Sequence, residues 1–130
     1  MMGAGFAPPE AFDPVRPQRR LAAIAQRLGL PFLDLAPALL AYRDGASLKP
    51  PYFSFACDGH WNPLAHALAA SEVAVFLAQS GLLPDRLDAK TLEAGRTALV
   101  ARSPRDFLGD KAYEEIYGGG RYAGGTPVVE

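Results

Sequence analysis

The sequence predicts an α/β protein. Two local observations and the composition lead there. An amphipathic stretch from Pro17 to Leu28 stops at Gly29 and runs into the short apolar segment LPFLDL. Helix, glycine and buried strand in that order make half of a parallel α/β unit. A strong helix start follows at Asn62-Pro63. The chain has 130 residues, 49% of them hydrophobic and 21% charged. That size and balance suit a single globular domain, or part of one, rather than a disordered chain.

Leu21, Ile24, Ala25 and Leu28 fall on one helical face, with Arg19, Arg20, Gln26 and Arg27 off that stripe. Gly29 is a natural helix stop. Phe32 to Leu35 reads as a buried strand. Ala36 to Tyr42 reads as a short helix ending before Asp44-Gly45. Pro50 and Pro51 oppose helix, and Tyr52, Phe53 and Phe55 suit a brief extended segment. Cys57 to Asn62 reads as a polar loop. Asn62 suits an N-cap and Pro63 the first helical position, so a helix is expected from Pro63 to about Ser80, stopped by Gly81. Its apolar residues go most of the way round, as in a helix covered on more than one side. Asp88 is expected to cap a helix reaching Ala101, and Ser103-Pro104 to start one reaching Tyr117. The expected organisation is an irregular segment 1–16, an α/β portion 17–83, a helical extension 84–117 and a flexible Gly-rich tail 118–130.

Thirteen Lys plus Arg balance fourteen Asp plus Glu, for a net charge of −1. This gives no general basic field for nucleic acid and no polybasic membrane patch. Arg16, Arg19, Arg20 and Arg27 read as a solvated outer face. The first residues lack the pattern of a secretory signal, and no apolar run approaches the ~20 residues of a spanning helix. With one cysteine, Cys57, no internal disulfide or multi-cysteine zinc site is expected.

The segment DGHWNPLAH places Asp58, His60, Trp61 and His66 within nine residues at a loop-to-helix junction. In an extended loop residues i and i+2 point the same way, so Asp58 and His60 are expected side by side. A carboxylate beside an imidazole holds its tautomer and stabilises its protonated form, which makes the base half of a nucleophilic triad. The alternatives are an Asp that caps a turn beside an exposed His, or a small metal site at Asp58, His60 and His66, although the spacing matches no standard zinc signature. His66 reads as a packed or capping residue. Trp61 reads as a packing residue that can also line a sugar cleft. Cys57, beside a carboxylate, reads as a buried small hydrophobe.

The run DGHWNPLAHALAA, followed by a helix to FLAQSGLL, resembles the last motif block of SGNH (GDSL-type) hydrolases. The single residue between Asp58 and His60 is closest in style to SGNH-like domains of the bacterial alginate O-acetyltransferase type. The resemblance covers Phe12 to Leu83. It implies the C-terminal portion of a flavodoxin-like three-layer fold, followed here by extra C-terminal helices. It implies that His60 is the general base and Asp58 its orienting partner. It also implies acyl-ester hydrolysis or O-acyl transfer on a carbohydrate or similar ester, with no metal and no cofactor. Relatives of this kind are often exported or membrane-tethered. The family's Gly-Asp-Ser nucleophile motif has no counterpart among Ser47, Ser54, Ser71, Ser80 and Ser103. The blocks that supply the oxyanion hole have no counterpart either. The expectation is therefore a truncated chain whose serine lies elsewhere, with self-association through an exposed sheet edge. The rival expectation is a non-catalytic remnant that serves as a binding module.

Overall fold

The computed structural model describes residues 13, 15–55, 59–82 and 88–118. Of these, 67% are helical and 2% are in strand, and no sheet forms. The α/β expectation and the portion of a flavodoxin-like three-layer fold are thereby overturned for the described residues. The strand expected at Phe32 to Leu35 is irregular chain instead. An apolar run becomes a strand only where a neighbouring strand takes its N–H and C=O groups, and no such neighbour forms among the described residues. Without a sheet, the edge invoked for self-association is not formed there either. The C-terminal tail falls outside the described residues beyond Gly118.

The chain divides into two compact units, Met1–Asp34 and Leu35–Glu130. The first contains α1, Arg16–Leu28. The Asp13 carboxylate accepts from the Val15 N–H at 3.1 Å and pairs with Arg19, which places negative charge before the positive end of the helix. At the other end Gly29 turns left-handed, at φ 64°. The Gly29 N–H then donates to the Gln26 carbonyl and the Leu30 N–H to that of Ala25, a Schellman closure. Of the apolar stripe, Leu21, Ile24 and Leu28 are 55%, 42% and 64% exposed, while Ala25 is buried.

The second unit contains α2 (Ala36–Gly45), α3 (Pro63–Gln79), α4 (Ala89–Val100), α5 (Pro104–Leu108) and α6 (Asp110–Tyr117). α3 is the hub and packs on α2, α4 and α5, while α6 packs on α5. Its all-round apolar sequence suits that position. Tyr42, Leu48, Leu64 and Leu68 form the buried core, with Leu39, Phe53, Leu99 and Phe107 packed around them. The Tyr42 hydroxyl donates to the Arg102 carbonyl at 2.9 Å and ties α2 to the loop after α4. Asp88 caps α4 by accepting the Lys90 and Thr91 N–H groups, and the Ser103 hydroxyl oxygen caps α5 by accepting that of Asp106. The single helix expected from Ser103 to Tyr117 is broken at Gly109, whose φ of 76° and ψ of 158° are open to glycine almost alone. No described helix is long and apolar enough to cross a membrane.

Candidate functional site

The loop between α2 and α3 is a short antiparallel hairpin. The Phe55 N–H donates to the His60 carbonyl and the Asn62 N–H to that of Phe53, both at 2.8 Å, with Ser54 bridged to Trp61. Phe53 anchors the outgoing arm in the core, its ring 6.4 Å from that of Tyr42. The return arm passes into α3 through Asn62. Side chains alternate across paired strands. His60 therefore shares a face with Phe55 and Asn62, while Trp61 shares the other with Ser54.

His60 is exposed on the return arm, two residues before the helix cap. Asp58 and Cys57 lie outside the described residues. Gly59 adopts φ 71°, so the alternation of extended chain does not run through it to link Asp58 with His60. Trp61 is 40% exposed and meets His66 edge-on, with ring centroids 5.8 Å apart. His66 is exposed on the first turn of α3. Asn62 rather than His66 makes the cap, and the histidine ring packs edge-on against Trp61. Among the described residues no three His, Cys, Asp or Glu side chains lie close enough to hold a metal ion.

Beneath His60 lies a polar node. Asn62 is fully buried, at 0% exposure. Its Oδ1 accepts the Ala65 N–H at 3.1 Å, which caps α3. Its Nδ2 donates to the Tyr52 carbonyl at 3.2 Å and to the Tyr117 hydroxyl at 3.0 Å. The Tyr117 hydroxyl in turn donates to the same Tyr52 carbonyl at 2.5 Å. Every N–H and O–H of this node has an acceptor, as burial demands. Tyr52 holds φ at 57°, the left-handed region that L side chains seldom enter. Burial pushes the Tyr117 hydroxyl above the usual tyrosine range. Sequence reasoning found Asn62 as a cap and missed Tyr52 and Tyr117. The Asn-Pro start signals the cap, but a partner 55 residues away leaves no local signature.

None of the serines supplies the missing nucleophile motif. Ser54 faces away from His60 across the bridge by the alternation above. The Ser71 hydroxyl donates to the Leu68 carbonyl, and Ser103 caps α5. Two clefts of about 410 Å³ each lie elsewhere in this unit. One is lined by Tyr42, Glu72 and Arg96, and the other by Lys49, Arg105, Tyr113 and Tyr117. Neither is lined by His60 or Trp61. In the first, Arg96 pairs with Glu72 at 3.2 Å. In the second, Arg105 is held between Asp110 at 2.8 Å and Glu114 at 2.5 Å, over the Tyr113 ring. Both arginines are thus engaged by carboxylates of their own chain.

No protein-family model, no curated protein and no solved structure matches the chain.

Proposed function

We propose that the Asp58–Asn62 loop is the acid–base half of an SGNH-type serine acyl-ester hydrolase or O-acyltransferase acting on an acylated carbohydrate or similar ester. The observation that carries this reading is the support of His60. It stands exposed on a paired arm, two residues before a fully buried asparagine that caps α3. A general base works when a rigid scaffold holds it at hydrogen-bond reach of its proton. In this reading His60 takes the serine hydroxyl proton as that oxygen attacks the acyl carbon. It then returns the proton to the leaving alcohol. Asp58 orients the imidazole, and Trp61 offers a ring face to the sugar. The serine and the oxyanion donors come from residues outside these 130. The reading calls for no cofactor.

The test uses the protein as made in its source cells, assayed for acetate release from p-nitrophenyl acetate and from acetylated polysaccharide. His60→Ala is expected to lower kcat/KM by about 100-fold or more. Equal rates in the two proteins overturn the reading, as does an inactive wild type. An antibody against Asp88 to Asp106 reports whether the active species exceeds the 13.9 kDa of this sequence.

The exposed stripe Leu21, Ile24 and Leu28 favours a second reading, a non-catalytic interaction module. It expects an inactive wild type whose sedimentation shows association. It also expects Leu21→Gln with Ile24→Gln to abolish that association.

A further inference from the structure

The helix that follows α5 had no role in the chemistry above, yet its last residue reaches the loop that carries His60. The Tyr117 hydroxyl sits at the open end of the hairpin and bonds to both arms. It donates to the Tyr52 carbonyl, immediately before the outgoing arm, at 2.5 Å. It accepts from Asn62, the last residue of the return arm, at 3.0 Å. Within the hairpin the arms are joined by the bonds at Phe53–Asn62 and Phe55–His60, with a third at Phe55–Gly59. The Asn62 side chain closes the base directly by donating to the Tyr52 carbonyl at 3.2 Å, and Tyr117 adds a second closure beside it. It also fixes the Tyr52 carbonyl, whose left-handed backbone needs support from its surroundings. The Tyr117 ring is set in turn by Tyr113, with centroids 5.1 Å apart, and by its packing on the core.

We propose that Tyr117 is a positioning residue. Its hydroxyl clasps the two arms and sets where His60 stands. The consequence for catalysis rests on the reading of His60 as a general base, but the clasp itself does not. Tyr117→Phe keeps the ring and removes both bonds.

Amide hydrogen exchange on the full chain tests the clasp. In Tyr117→Phe the Phe55 and Asn62 amides are expected to exchange at least about 5-fold faster, the effect of losing both hydrogen bonds. Amides inside α3, such as Val75, are expected to keep their rates. Unchanged rates at Phe55 and Asn62 overturn the proposal. So does a uniform acceleration across the chain, which marks Tyr117 as a general stability residue. The wild-type chain gives a second measurement that does not depend on the variant folding. A slowly exchanging Tyr117 hydroxyl proton with a nuclear Overhauser contact to the Asn62 side-chain amide supports the clasp, and its absence overturns it.

In the active protein, Tyr117→Phe is expected to lower kcat by about 10-fold or more with little change in KM, since displacing a catalytic group by about 1 Å costs up to about 100-fold. An unchanged kcat overturns the positioning role. An inactive wild type removes the base reading and leaves exchange to decide the clasp.

Discussion

One amide group, that of Asn62, closes three bonds in a place that water does not reach. Asn62→Ala removes the cap of α3 and takes one hydrogen bond each from the Tyr52 carbonyl and the Tyr117 hydroxyl, which keep their bond to each other. A lost cap costs about 1 kcal/mol and each of the two other lost hydrogen bonds about 0.5–1.5 kcal/mol. The expected loss in urea unfolding is therefore about 2–4 kcal/mol. Tyr42 carries a pH dependence. Burial chiefly, with Tyr117 nearby, pushes its hydroxyl up to about 12. The unfolded chain releases that proton near pH 10, while the native state retains it. The contribution is full below pH 10 and is lost as pH rises from 10 towards 12. Unfolding followed across that window is expected to show a steeper decline for wild type than for Tyr42→Phe.

Where an element begins with its own cap, the sequence was legible. Asn62-Pro63, Asp88 and Ser103-Pro104 start α3, α4 and α5 where their side chains promise, and Gly29 ends α1. These signals act within four residues, so no tertiary knowledge is needed to read them. The strand at Phe32 to Leu35 failed for the opposite reason, since strand formation depends on a distant partner that a local pattern cannot guarantee. The continuous helix expected to Tyr117 failed at a single residue. Gly109 lies inside that stretch and takes a backbone conformation closed to other residues. Gly109→Ala meets no atom within 4 Å of the added carbon, so its cost is conformational alone. It is expected to be about 1–3 kcal/mol, measured by thermal unfolding.

Across the whole chain, order is unevenly supported. α3 is packed by three other helices, whereas α1 presents its leucines to solvent and has 13 residues, near the length at which isolated helices are marginal. Native-state hydrogen exchange is expected to show the strongest protection in α3 and weak protection in α1. Leu21→Gln is expected to change the stability of the monomeric chain by less than about 0.5 kcal/mol. The candidate residues from Asp58 to His66 are contiguous, so a local reading singles them out. Their support is not contiguous. Tyr117 belongs to a helix that sequence alone left without function, and only folding brings it to the hairpin.

Pro63 has a consequence that reaches beyond folding. Asparagines age by deamidation, in which the nitrogen of the next peptide bond attacks the side-chain carbonyl and closes a five-membered imide. That attack needs an N–H to lose, and proline has none. The residue that opens α3 therefore also shields the Asn62 amide from this slow chemical damage. On prolonged storage at neutral pH, peptide mass spectrometry is expected to find Asn62 intact.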